Sequence, residues 1–214
     1  MNKTSIDWPS LAYSWNPIVG CANGCDYCYA RKISNRFKMI PDFGKPVYFP
    51  NRLEEPLRVK NPSTIFVGSM CDIFSKGVSD EWIHNIISIA IAAPWHIFMF
   101  LTKKPEQYNK FHWPVNCWLG TTVEFNGVNM RLVHFQILKQ SQKDIKTFAS
   151  VEPILGNMKN TSFRGLDLVI IGADSSKGAK VPPLEWVKSI EHPNIWYKQN
   201  LRKHYPELQN KISL

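Results

Sequence analysis

Three cysteines fall within eight residues, Cys21-Ala22-Asn23-Gly24-Cys25-Asp26-Tyr27-Cys28. Thiolates are soft ligands that select iron–sulfur clusters, zinc or copper over hard cations. A cubane cluster usually takes four cysteines, so a local set of three leaves one iron without a protein ligand. A small molecule carrying an amino group and a carboxylate could chelate there. Gly20 and Gly24 would let the chain turn tightly around such a cluster. A zinc site would need a fourth ligand, with Cys71 or His84 as candidates, and it more often pairs C-x-x-C with a second, distant pair, which this sequence lacks. Structural thiols with no metal would leave the tight spacing without an account.

A second set of polar residues recurs at regular places. Six short apolar runs read as strands: Thr64–Met70, His96–Leu101, Cys117–Val123, Lys146–Val151, Leu166–Gly172 and Asn194–Lys198. Each ends in or is followed by a group able to do chemistry: Asp72, Lys103, Glu124, Glu152, Asp174 and Lys198. One such residue is an ordinary loop group or cap. Six in succession predict a common mouth.

The elements that must position them alternate. The runs are rich in Val, Ile, Phe, Trp and Thr and several are apolar on both faces, as in a parallel sheet covered by helices. Ser79 is placed to cap a helix opening with Asp80 and Glu81 and ending at Pro94. Asn126 is placed to cap Val128–Gln140, Pro182-Pro183 to open a third helix, and Arg31–Met39 to form a fourth. This alternation predicts an α/β fold in one domain over residues 1–214, a partial (β/α) barrel of about six or seven parallel strands. A doubly wound open sheet is the rival, without a glycine-rich fingerprint to support it.

With 214 residues and 44% hydrophobic composition, the chain can bury a sizeable core. No run approaches the roughly twenty apolar residues of a membrane span, and Met1–Ser10 lacks a signal-type apolar stretch, so a cytoplasmic protein is expected. Five cysteines, three of them clustered, do not make a secreted disulfide framework. The +9 charge favours polyanionic partners, nucleic acid among them. A non-catalytic, metal-stabilised nucleic-acid-binding module is therefore a second reading. Cys117 and most of the tryptophans read as core. No phosphate-binding loop or Ser-His-Asp set is present.

At the cysteines the chain resembles the radical S-adenosylmethionine superfamily, whose hallmark is C-x-x-x-C-x-aromatic-C, with Tyr27 in the aromatic slot. It resembles more closely the phage-associated three-cysteine-motif family. The blocks that carry this are Trp15-Asn16-Pro17, Cys28-Tyr29-Ala30, Ser69-Met70-x-Asp72-x-Phe74, Leu101-Thr102-Lys103-Lys104-Pro105, Trp118-Leu119-Gly120, Glu152-Pro153-Ile154-Leu155-Gly156 and Tyr197-Lys198-Gln199. Two blocks depart from it: Cys71 stands where serine is expected, and Gly172-Ala173-Asp174-Ser175 where Gly-Gly-Glu-Ser is. The resemblance implies a partial barrel, a 4Fe-4S cluster on Cys21, Cys25 and Cys28, and S-adenosyl-L-methionine. Tyr27 would lie against adenine, and Ser69 and Asp72 would hold the methionine or ribose groups. Lys103, Glu124, Glu152, Asp174 and Lys198 would serve the reaction, with an electron donor such as a flavodoxin or ferredoxin. It names no substrate; the charge points to a nucleobase or nucleic acid.

Overall fold

The computed structural model describes residues 1–125, 130–176 and 178–212. In chain order the strands are β1 (Asn2–Lys3), β2 (Leu11–Trp15), β3 (Ile18–Val19), β4 (Val47–Tyr48), β5 (Thr64–Val67), β6 (Ile97–Thr102), β7 (Cys117–Thr122), β8 (Lys146–Val151), β9 (Leu168–Ile171) and β10 (Ile195–Tyr197). The helices are α1 (Tyr29–Phe37), α2 (Asp80–Ala92), α3 (Met130–Ser141), α4 (Leu184–Lys188) and α5 (Gln199–Arg202). The main sheet has eight strands in the order β1-β2-β5-β6-β7-β8-β9-β10. β2 pairs parallel with β5, β5 with β6, β8 with β9 and β9 with β10, while β1 runs antiparallel to β2. The chain order never reverses along the sheet. That is the strand order of an incomplete (β/α) barrel, and it contains no switch point of a doubly wound fold.

All six expected strands form, β8 with the expected boundaries. The sequence reading missed β2, whose first four residues are only half-buried, and the two-residue strands β1, β3 and β4, too short to show a period.

The chain divides into two compact units. The first comprises Met1–Ile6, Ser10–Thr102 and Phe111–Trp118, the second Asp7–Pro9, Lys103–Lys110 and Leu119–Leu214. In the first unit β5 is buried throughout, and α2 buries Ile83, Ile86, Ile87, Ile89 and Ala90. Ser79 caps α2 as expected, its hydroxyl accepting from Trp82 N at 3.3 Å, with Asp80 and Glu81 in the first turn. A separate apolar cluster, Val19, Ala30, Ile40, Phe43 and Met70, lies under Cys21 and Cys28. In the second unit Val123, Ala149, Val151, Val169, Ile171 and Val187 are among the residues that form the core. The C-terminal segment covers the β10 edge, with Lys211 and Ile195 exchanging backbone hydrogen bonds of 2.6 and 2.9 Å. Pairing of this kind shields an edge that would otherwise template aggregation. The expected cap Asn126 lies outside the described residues.

Gly120 in β7 sits against a ring. A methyl group there would come within 2.6 Å of Phe148 Cε2 and closer still to its Cζ, in a fully buried setting. Overpacking of this kind costs about 1–3 kcal/mol. Gly120→Ala should lower the melting temperature by roughly 2–12 °C, given about 2–4 °C per kcal/mol at this size. A calorimetric scan unchanged from wild type would show that Phe148 has room to move.

Candidate functional site

The cysteine loop is shaped before any ligand arrives. Gly20 has φ 110° and no room for a side chain: a methyl group would meet Ile40 Cδ1 at 2.9 Å and Pro46 Cα at 3.0 Å. Its N–H donates to Met70 O at 3.0 Å, and Cys21 N donates to Phe43 O at 2.7 Å. Gly24, at φ 70°, supplies the reversal between the first two cysteines. Cys28 is the N-cap of α1, its sulfur accepting from Arg31 N at 3.3 Å, and Cys21 sulfur accepts from Asn23 N at 3.5 Å. Arg31 closes the far side by donating to Cys25 O at 2.6 Å. This is why α1 begins at Tyr29 rather than at the expected Arg31: the third cysteine is a helix cap as well as a candidate ligand.

All three thiols are free and half-buried. The Arg31 and Asn23 N–H groups aimed at two of the sulfurs are donors of the kind that support metal-bound thiolates. The donor set therefore suits a thiolate-bound cluster: three soft ligands on one short loop, N–H donors on two of the sulfurs, and an apolar floor beneath. Burial pushes the Cys21 thiol above its ordinary value; Asn23 N–H opposes this and Asp72 adds to it. Cys71 is pushed well above by burial, then by Asp72 and by Cys21. Among the described residues no three His, Cys, Asp or Glu side chains converge on a single ion.

The turn after β5 carries the other half of the arrangement. Asn16, just past β2, accepts from Met70 N at 2.9 Å through Oδ1, and its amide lies 3.1 and 3.2 Å from Ser69 Oγ. Tyr29 OH donates to Ser69 O at 2.7 Å. Asp72 is buried and accepts from Thr102 Oγ1 at 2.6 Å, Phe74 N at 3.0 Å and Asn23 Nδ2 at 2.8 Å. Ser75 Oγ accepts from Ala22 N at 2.7 Å. Gly20 and Cys71 form an isolated parallel bridge. The cysteine loop is thus fastened at Gly20, Ala22 and Asn23 to the segment Met70–Ser75.

In the second unit, Glu124 is paired with both Lys103 and Arg131, the latter at 2.7 Å, and Arg131 also donates to Thr122 O at 2.7 Å. Lys198 Nζ meets Glu152 Oε1 at 2.5 Å. The pair lies over Gly172, where a methyl group would be 2.8 Å from Lys198 Cδ and 2.9 Å from Glu152 Cδ. Burial raises the Glu152 carboxyl, with Lys198 opposing and Asp7 and Asp174 adding to the rise. Asp7 also accepts from Gln199 N, and both its Oδ1 and its backbone oxygen accept from Trp196 Nε1, at 3.2 and 3.1 Å. Asp174 Oδ1 accepts from Ser176 N at 2.7 Å.

A family described as "Protein of unknown function (DUF5131)" matches residues 3–196. The chain belongs to that family. No curated protein matches it in sequence. Three solved structures of spore photoproduct lyase share its fold. The complex with dinucleoside spore photoproduct is 15% identical, with a TM-score of 0.56, and is covered over 65% of its length by 100% of this chain. A variant with the same dinucleoside matches at 15% identity, TM-score 0.57, over 100% of this chain and 64% of the other. A second variant matches at 14% identity, TM-score 0.58, over 100% and 65%. The DUF5131 chain thus spans just under two thirds of the enzyme whose fold it shares.

In this DUF5131 protein Cys21, Cys25, Cys28, Ser69 and Asp72 all lie in the first unit, Asn23 tying the cysteine loop to Asp72, with Tyr27 half-buried on the same loop. Lys103, Glu124, Glu152, Asp174 and Lys198 all belong to the second. Sequence reasoning missed Asn16, Asn23, Tyr29 and Ser75, which tie the first site, and Asp7 and Arg131, which brace the second. Asn16 and Tyr29 lay inside recognised blocks, so their positions carried a signal that their chemistry did not. Asp72→Ala would strand three donors, and hydrogen bonds to a charged acceptor are worth about 1.5–3 kcal/mol each, so stability should fall by at least that. Asp72→Asn keeps acceptor capacity for Phe74 and Thr102 and should cost less. Urea denaturation compares the two; equal losses would mean that the carboxylate's hydrogen bonds are not what holds this turn.

Proposed function

We propose that this DUF5131 protein is a radical S-adenosylmethionine enzyme whose 4Fe-4S cluster is held by Cys21, Cys25 and Cys28. The observation that carries this reading is the fastening of the cysteine loop to the Met70–Ser75 segment by Gly20, Ala22 and Asn23. Three free thiols are held beside the polar end of a central strand, over an apolar floor that keeps water from beneath them. The shared fold with spore photoproduct lyase, a radical S-adenosylmethionine enzyme, supports the class.

Bound together, the cluster and S-adenosyl-L-methionine would supply reductive cleavage of a carbon–sulfur bond and a deoxyadenosyl radical. The chain's part is to bind, orient and exclude solvent. Asp72 accepts from Thr102, Phe74 and Asn23. We therefore assign it to holding the loop and, with Ser69, to the methionine or ribose groups. Ser69 has its backbone oxygen held by Tyr29 and its hydroxyl oriented by Asn16, and we assign that hydroxyl to the methionine or ribose groups. Tyr27 is assigned to the adenine. In the second unit Lys103, Glu124, Glu152, Asp174 and Lys198 are the proposed reaction groups, with Glu124 paired to Lys103 and Glu152 to Lys198.

For the substrate we propose a nucleobase or nucleic acid, supported by the +9 charge and by the dinucleoside held by the solved relative. The phage association implied by the motif blocks belongs to this proposal, as does a reducing, cytoplasmic setting. Among the described residues no helix is long and apolar enough to cross a membrane.

The test is anaerobic reconstitution, reduction and mass spectrometry. The protein should bind iron and labile sulfide and convert S-adenosylmethionine to methionine and deoxyadenosine, slowly even without substrate. Replacing Cys21, Cys25 and Cys28 by Ala should abolish both; Cys71→Ser and Cys117→Ala should keep their iron. Zinc without sulfide, or a loaded cluster that neither binds nor cleaves the cofactor, would favour the non-catalytic module.

A further inference from the structure

We propose that the exposed face of α1 is the docking surface for an acidic one-electron carrier protein of the flavodoxin or ferredoxin type. This rests on the reading above, because that chemistry consumes one electron per cleavage. The two cysteines outside the loop are Cys71, beside it, and Cys117, buried in β7, so this chain has no ligand set for a second cluster to act as relay.

The helix is turned inside out. Its buried side consists of Ala30 and Ser34, one turn apart. The large apolar residues follow the same four-residue spacing on the outside: Tyr29, Ile33 and Phe37 are 47%, 40% and 66% exposed. A helix on a folded domain normally buries its apolar stripe. Here the stripe is presented to solvent, with exposed Lys32 and Arg36 in line beside it. Residues 29–41 carry Arg31, Lys32, Arg36 and Lys38 and no acidic residue. The Arg36 guanidinium sits 5.3 Å from the Phe37 ring centroid, which helps to fix that exposed ring.

An apolar centre with a charged rim is the anatomy of a protein–protein contact. Single-stranded nucleic acid instead prefers a cationic groove whose aromatic faces are open to bases. The stripe lies on a helix surface, its centre is the aliphatic Ile33, and Arg36 lies over the Phe37 ring. One helix face also matches the small area of transient redox encounters, for which opposite charge speeds association. Position completes the case: Cys28 caps this helix, and at about 1.5 Å per residue the whole face lies within roughly 14 Å of it. In the step, the carrier's reduced flavin or iron–sulfur centre would give up one electron to the cluster that Cys21, Cys25 and Cys28 would hold. No atom moves between the partners.

The experiment uses flavodoxin as probe, oxidised in a calorimetric titration for binding and reduced, with cluster absorbance, for electron transfer. Lys32→Glu/Arg36→Glu and, separately, Ile33→Ser/Phe37→Ser should each weaken binding and slow flavodoxin-driven reduction about tenfold or more at low salt. Dithionite should reduce wild type and both variants alike. Wild-type binding should also weaken as salt rises. Variants that bind flavodoxin as wild type does would overturn the proposal. So would a face that binds a single-stranded oligonucleotide, loses it in the same variants, and ignores flavodoxin. If no cluster assembles, the enzyme reading fails, while the calorimetric titration on cluster-free protein still decides the docking surface.

Discussion

The first unit is organised around one buried carboxylate. Asp72 gathers a hydroxyl from β6, a backbone N–H from its own turn and the amide of Asn23 from the cysteine loop. A buried carboxylate with too few donors is costly, so each of these groups is held by the same demand. The loop consequently cannot be placed independently of the sheet. Where β5 ends, Asp72 follows, and where Asp72 sits, Asn23 and the cysteines on either side of it are fixed. Gly20, with its backbone bonded to Met70, repeats the constraint from the other side.

The second unit handles charge differently. Its acids are matched with cations: Glu124 lies between Lys103 and Arg131, and Glu152 is paired with Lys198. Buried pairs of this kind contribute little net stability against a well-packed apolar alternative, and removing one partner is expensive. Their retention is easier to understand as keeping polar groups in place. Gly172 is the packing counterpart, since a side chain there would occupy the space of the Lys198–Glu152 contact.

The β5–β10 strands were legible because their signal is local: runs apolar on both faces, of strand length, separated by capped helices. α2 announced itself through Ser79, Asp80 and Glu81 in the same way. β2 was not legible, because four of its five residues are half-buried and its strand character comes from pairing with β5, some fifty residues on. The cysteine motif could be read as a ligand set, but the second role of Cys28 as a helix cap could not, since capping depends on backbone geometry. Asn16 and Asn23 escaped for a related reason. An amide that satisfies a backbone N–H or a carboxylate 49 to 54 residues away has no spacing that marks it.

Asp7 has a kinetic meaning beyond its bonds. It accepts from Trp196 and Gln199, contacts that span 189 and 192 residues. Contacts so distant in sequence close loops of high entropic cost and slow the search for the native state. During synthesis, residues 7–9 must wait for β10 and α5 to leave the ribosome before the second unit can close around them. Until then Trp8, which packs edge-on against Phe148 at 5.4 Å, lacks the β10 and α5 contacts that hold its neighbour Asp7. The order of synthesis and the order of assembly are therefore opposed at this point of the chain, and residues 7–9 are among the last to be locked in.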